Sequence, residues 1–237
     1  MLRLLMTTLT VVAFVSLSQA QILTLRGGYQ AAFRSFKGMN DVTNSYDETR
    51  SYLTDELGNF GYTQGYTLEL GIALAGEDGG IMAGVQLGFT NQRDKLDAEG
   101  NVGGQDFRRE LRYRTNMVTI GGSIGVHAER KLGLELGMRA AIGSVVIDTQ
   151  IDPAPGSGAT DWEEVYRDGL EAYLTPFLRV STYPGISLEL YVDIDVVSDV
   201  LAVQETDEAI NPATATFNLD RQGMRTGGFG FRVLAGL

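Results

Sequence analysis

Seven connections separate the strand-like segments of this chain, and they alternate strictly between long and short. The long ones are polar and run over 35–59, 93–106, 149–165 and 199–222; the tight ones lie around Gly76–Gly79, His127–Lys131 and Thr182–Gly185. An antiparallel up-and-down barrel built to that rhythm has every long loop at one end and every short turn at the other. That is the asymmetry of a membrane-spanning barrel. The eight segments run over 22–34, 60–75, 80–92, 107–126, 132–148, 166–181, 186–198 and 223–237. Each can supply the ~9–11 residues that a tilted membrane strand needs.

The two faces of these strands carry different chemistry. Leu23, Leu25, Tyr29 and Phe33 alternate with Thr24, Arg26, Gln30 and Arg34 in the first strand. Leu188, Leu190, Val192 and Ile194 alternate with Ser187, Glu189, Tyr191, Asp193 and Asp195 in the seventh. Period-two alternation alone argues only for half-buried strands. The polar face, however, combines many glycines with isolated charges of both signs: Arg26, Glu69, Glu135, Arg139, Glu171, Arg179, Glu189, Asp193 and Arg232. A water-facing sheet favours Lys, Thr and Ser, whereas a narrow eight-strand lumen has just enough room for side chains. Charges enclosed there must be paired, so the mixed signs predict an internal, structural charge network. Counting back from the turns sets Glu69 opposite Gln86 and Glu189 opposite Arg232. The acidic stripe of Glu189, Asp193 and Asp195 is expected to pair with Arg179 and Arg232.

The chain begins Met1-Leu2-Arg3, continues with an apolar run from Leu4 to Leu17, and reaches Ser18-Gln19-Ala20. This reads as a secretory signal peptide over 1–20, leaving one domain over 21–237. The apolar run is shorter than the ~20 residues of a spanning helix. With no cysteine in the chain, neither a disulfide framework, thiolate metal ligation nor thiol catalysis is available. The formal charge of −11 argues against nucleic acid, whose binding calls for basic patches. A mean hydropathy of −0.04 is what alternating lipid-facing and lumen-facing residues produce.

Aromatic residues (Tyr29, Phe33, Phe60, Tyr62, Tyr66, Phe89, Tyr113, Tyr166, Tyr173 and Phe229) lie towards the long-loop ends of their strands, as an interfacial girdle would. Pro176 falls inside the sixth strand, where it removes a ladder hydrogen bond, and predicts a bulge. In the fourth strand the apolar parity changes between Leu111-Tyr113 and Val118-Ile120-Ile124-Val126. Either a bulge lies near Thr115–Met117, or the strand projects past the membrane with Arg108, Arg109, Arg112 and Arg114 solvated.

Together with the leader and the hairpin rhythm, the terminal Gly228-Phe229-Gly230-Phe231-Arg232-Val233-Leu234-Ala235-Gly236-Leu237 resembles the small eight-stranded outer-membrane barrel family, the OmpA/OmpX-like group. The resemblance covers residues 21–237. It implies an outer-membrane location, contact with outer-membrane lipid and lipopolysaccharide, and recognition of the last strand by the barrel-assembly machinery. The strand departs from the family pattern by ending in Leu237 instead of an aromatic residue. No catalytic motif accompanies the resemblance.

Some barrels of this size act on lipid A, and that chemistry needs an activated nucleophile, usually serine with a histidine base. The single histidine, His127, lies beside a short turn, at the periplasmic end. Acidic residues in the long connections (Asp41, Asp47, Glu48; Asp152, Asp161, Glu163, Glu164; Glu205, Asp207, Glu208) match no calcium-loop spacing and read as solvated loop charge. No catalytic, cofactor or metal site is expected. The sequence favours a non-enzymatic surface protein serving envelope integrity, adhesion or ligand interaction through its outer loops. The alternatives are a narrow pore or small-solute transporter, a lipid A-modifying enzyme, and a soluble periplasmic ligand-binding barrel.

Overall fold

In the computed structural model, eight long strands close into an antiparallel ring, β-rich throughout. The structure describes residues 20–75, 79–128, 132–152, 159, 161–182, 185–198, 200–203, 219–223 and 226–236. Residues 1–19, all but the last residue of the signal peptide expected over 1–20, three short turns in part, and Glu205, Asp207 and Glu208 lie outside the described residues. In chain order the elements are β1 (Ala20–Arg34), α1 (Lys37–Thr49), β2 (Leu53–Asp55), β3 (Tyr62–Ala75), β4 (Gly79–Val102), β5 (Gln105–Ala128), β6 (Leu132–Asp152), β7 (Glu163–Thr182), β8 (Ile186–Ser198), β9 (Val200–Val203), β10 (Leu219–Gly223) and β11 (Gly228–Gly236). Successive long strands pair as hairpins, and β1 against β11 closes the ring (Arg26↔Gly236 to Arg34↔Gly228). The small strand β2 rides on the outer part of β4, and β9 pairs with β10.

The exterior carries the apolar side chains. Leu70, Leu87, Ile120, Leu136, Leu178 and Leu190 are each between 43% and 62% exposed, on strands from every side of the ring. A continuous belt of this kind is covered only by lipid, because soluble chains rarely expose apolar patches so large. This is the surface of a bilayer-spanning barrel.

The period-two parity of β5 never breaks. Its register to β4 runs unshifted from Gly79↔Ala128 to Val102↔Gln105, and its register to β6 from Ala128↔Leu132 to Arg108↔Asp152. What changes is the surroundings. Below Asn116 the outward residues Val118, Ile120, Ile124 and Val126 are apolar; above it Arg108, Glu110, Arg112 and Arg114 replace them. The inward face inverts in the opposite sense, from Thr119 and Ser123 to Met117, Tyr113, Leu111 and Phe107. One strand thus passes from an apolar-out membrane section into an apolar-in, water-surrounded section. Of the four arginines expected in solvent, Arg109 is the exception: it follows inward parity and is 1% exposed.

Three connections differ from expectation, one of them 199–222, which contributes the paired strands β9 and β10. The segment 93–106 is no loop, for β4 and β5 continue through it and meet at Gly103-Gly104, whose φ values of 62° and 87° suit a tight left-handed turn. The first connection is also structured, since it folds into α1. The ladder passes Pro176 without a shift: Leu174↔Ile194 and Phe177↔Tyr191 share one register, and no bridge to β8 forms at Thr175 and Pro176. The bulge in that pair lies between Ala172 and Tyr173, where β8 carries one extra residue.

Candidate functional site: the sealed lumen and its outer face

The lumen is crossed by a single charge network. Arg139 (β6) donates to Glu69 on β3 at 2.9 Å and to both oxygens of Glu189 on β8. Arg179 (β7) donates to Glu69 and Glu189, both at 2.6 Å, and to the Gln86 carbonyl of β4 at 3.1 Å. Arg232 (β11) donates to Glu69 at 3.1 Å and to the Gln30 carbonyl of β1 at 2.9 Å, and lies 3.6 Å from Glu189. All five ionised side chains are at most 4% exposed. Three guanidinium forks around two carboxylates occupy the acceptor positions of both acids.

Bulk and glycine make the space. Arg139 and Arg179 stack on Phe177 at 4.4 and 5.1 Å, and Arg232 on Tyr191 at 5.0 Å. The Phe177 ring occupies the volume a side chain at Gly137 would need, and Arg139 lies where a Cβ on Gly121 would fall. β5 thus presents a glycine at the level where its neighbours contribute long side chains. Towards the short-turn end, Arg26 is 3.8 Å from Glu135, which also accepts from Ser123 at 2.9 Å. The space between Thr24, Arg26, Gln86, Ser123 and Glu135 is about 20 Å³, the room of one water.

The expected pairings are met in part. Arg232 and Glu189 are register partners, yet Glu189 is held chiefly by Arg139 and Arg179. Glu69 faces Gly88, and Gln86 faces Gly71; the β3–β4 turn encloses more residues than the hairpin count assumed, so the expected Glu69/Gln86 row is displaced. The two side chains meet through Arg179 instead. Asp193 pairs with Arg34, at 2.7 Å, and not with Arg179 or Arg232. Asp195 accepts the backbone N–H groups of Thr226 and Gly227 at 3.1 and 3.0 Å. Glu171 is held by hydroxyls: Tyr113 at 3.0 Å, Tyr173 at 2.7 Å and Thr226 at 3.0 Å.

Above this lies a lid. Phe36, Met39 and Tyr46 of the α1 segment pack with Leu57, Phe60, Ala98, Leu111, Tyr113, Val145 and Ile147 into a dry cluster across the outer mouth. Asn40 holds the return segment by exchanging hydrogen bonds with the Phe60 backbone, both at 2.8 Å. Asp47 accepts from Leu57 N–H at 2.9 Å and Gly58 N–H at 3.2 Å. Asp47, expected as solvated loop charge, is therefore a structural acceptor; Asp41, Glu48 and Asp161 are exposed. Asp94 points inward beneath this lid, and burial pushes its carboxyl above the usual carboxylate range.

Among the described residues the aromatic girdle is only half a girdle. Tyr29, Phe33, Tyr62, Tyr66, Phe89 and Phe229 are exposed on the β11–β1–β3–β4 side, with Phe33 stacked on Phe229 at 5.2 Å. Phe60, Tyr113 and Tyr173 have inward or lid positions and are buried; the Tyr166 side chain lies outside the described residues. His127 sits on inward parity at the short-turn end, opposite Gly80 and Gly133, and its Nε2 has no hydrogen-bond partner among the described residues. Among those residues no three histidine or carboxylate side chains converge as a metal ion would require.

On the outer face, β4 runs on past its last lipid-facing residue, Phe89, to Val102. At ~3.4 Å per residue this is about 44 Å of strand. Its flank carries Arg108–Asp97 at 2.8 Å, Lys95–Glu110 at 2.5 Å, and Asp148 shared by Arg112 at 3.0 Å and Arg114 at 2.7 Å. The parity change on the second strand of this hairpin left projection past the membrane as one of two readings, and Gly103-Gly104 was a further signal for the turn.

No family model matches this chain, and no curated protein matches it. Among solved structures, the chain is similar to Ail, the attachment invasion locus protein of Yersinia pestis, crystallised in complex with the heparin analogue sucrose octasulfate. The two are 8% identical, the match covers 92% of this chain and 99% of that one, and the TM-score is 0.37. A likeness of this degree assigns no role to any residue.

Proposed function

We propose that the chain is a non-enzymatic outer-membrane protein that displays a rigid, charged β-platform at the cell surface for adhesion or ligand contact. The observation that carries this reading is the unbroken β4–β5 pairing beyond the apolar belt, standing on a barrel sealed twice. A paired hairpin packed on the lid presents side chains at fixed positions, which suits recognition. Among the described residues the ion network and the lid leave no solute path of useful width, which speaks against the narrow-pore reading. His127 at the short-turn end, away from the projecting hairpin, speaks against a serine–histidine hydrolase of the outer leaflet. The apolar belt speaks against a soluble periplasmic barrel.

The test removes the outer end of the platform and leaves the barrel. Joining Ala98 to Arg109, register partners in the native sheet, through a two-residue Asn-Gly turn deletes the outer end of the hairpin over 99–108. Cells expressing this variant should retain a heat-modifiable barrel and lose surface attachment to host cells or matrix. Unchanged attachment refutes the platform reading. Planar bilayers holding the intact protein should show no steady conductance; stepwise, persistent channels would favour the pore.

A further inference from the structure

Four cations stand in a block on the outward face of β4 and β5. Arg93 lies directly opposite Arg114, and Lys95 directly opposite Arg112. Opposed residues on one face have Cβ atoms about 4.5–5.5 Å apart, and successive same-face residues are ~7 Å apart along a strand. Like charges set directly opposite each other destabilise a sheet, and here two consecutive rows do so. Asp148 partly compensates Arg112 and Arg114, and Glu110 compensates Lys95. Arg93 is exposed and has no carboxylate within 4.0 Å among the described residues. In a chain with a formal charge of −11, this is a local excess of positive charge maintained against its own repulsion.

The height of the block matters as much as its sign. Phe89 and Val118, register partners, form the last apolar row of this face, and Asn91 and Asn116, hydrogen-bonded at 2.8 Å, form the next. Arg93 and Arg114 follow immediately. Their long side chains can reach back towards the interface, which places the guanidinium groups at headgroup depth, within about 10 Å of the hydrocarbon boundary. Guanidinium forks match phosphate oxygens bidentately.

We propose that Arg93, Lys95, Arg112 and Arg114 bind the phosphates of an anionic lipid headgroup in the outer leaflet, docking the platform side of the barrel against a phosphorylated glycolipid. This rests on the outer-membrane reading above. The half-girdle on the β11–β1–β3–β4 side would anchor that side by aromatic contacts, and the basic block the β4–β5 side by charge.

The chain contains one tryptophan, and Trp162 stacks on Arg112 at 3.9 Å, so its fluorescence reports on the block directly. The folded full-length barrel in neutral detergent is titrated with diphosphoryl lipid A, with its dephosphorylated form, and with inorganic phosphate. Diphosphoryl lipid A should change the emission saturably, and the dephosphorylated form should not. Arg93→Gln, which breaks no ion pair among the described residues, should weaken binding about five-fold, the effect of one charge near an anionic surface. Adding Arg114→Gln should weaken it further, whereas Arg108→Gln, higher on the face and paired with Asp97, should bind like the parent. Equal binding of the dephosphorylated lipid, or undiminished binding by Arg93→Gln, overturns the proposal. Inorganic phosphate acting at the same concentration as the lipid overturns the lipid source in favour of free anion. Heat-modifiable mobility and bilayer silence are measured on the same preparations, so loss of lipid binding with both intact removes this inference and leaves the surface-platform reading standing.

Discussion

Replacing Glu189 with alanine is the sharpest perturbation of the lumen. Glu189 is fully buried and accepts hydrogen bonds from Arg139 and Arg179, with Arg232 at 3.6 Å. Among the described residues its removal leaves Glu69 as the one acid hydrogen-bonded to those guanidiniums, with Glu135 3.9 Å from Arg179. Arg232 keeps Glu69 and Gln30, so the loss falls on Arg139 and Arg179. Breaking a buried pair from one side costs about 3–5 kcal/mol, because the abandoned charge stays desolvated. Glu189→Ala should therefore lose about 3–5 kcal/mol in reversible denaturant unfolding from lipid vesicles. Because well-packed apolar replacements of buried ion pairs are often neutral, Glu189→Leu combined with Arg139→Met should recover most of that loss. The non-additivity of the cycle isolates the pair. A loss under about 1 kcal/mol for Glu189→Ala, against the 3–5 of a one-sided break, or simple additivity in the double variant, refutes a tightly coupled lumen.

On the lipid face, Leu190→Arg should cost ~2–4 kcal/mol near the midplane, read as impaired heat-modifiable folding; wild-type mobility contradicts the face assignment. Gly137→Val drives a side chain into both the Phe177 ring and the Gly122 carbonyl, with an overpacking cost of about 1–3 kcal/mol, and unfolding at parental denaturant concentration would show that neither is confined. Burial raises Asp94 in the folded chain, so the folded lid retains that proton to higher pH than the unfolded chain. Its contribution is therefore gained as pH falls through the raised value and lost as pH rises through it. Asp94→Asn should protect residues 37–61 in hydrogen exchange at neutral pH, with no added protection in acid; reduced protection at neutral pH contradicts the sign.

The membrane section was legible in the sequence because one environment held on each side of every strand. Lipid outside and a packed lumen inside convert parity directly into Leu190 against Glu189. Legibility failed where the environment changed and the strand did not. On β5 the inversion above Asn116 left a bulge and a projecting strand as equal readings, of which the projection holds, and the polar run 93–106 imitates a loop. α1 was missed because Lys37–Thr49 has no side-chain cap and carries β-branched and turn-forming residues of low helix propensity. Its helicity comes from packing Phe36, Met39 and Tyr46 on the barrel mouth. Charge partners were legible only between neighbouring strands. Arg139 meeting Glu69 and Glu189 crosses the lumen, a relation that register counting along one hairpin does not contain.

A single unbroken strand face of β5 passes from lipid to water between Val118 and Asn116 while its inward face stays sealed. The chain has no cysteine, so single cysteines along β5 can carry spin labels without background. Labels replacing Val118, Ile120, Ile124 and Val126 in lipid vesicles should collide with oxygen and be shielded from a water-soluble nickel complex. Labels replacing Arg108, Arg112, Arg114 and Asn116 should show the reverse, and labels at Met117 and Thr119 should be shielded from both. Nickel accessibility from Val118 to Val126, or a reversal of parity between Tyr113 and Val118, would contradict the account.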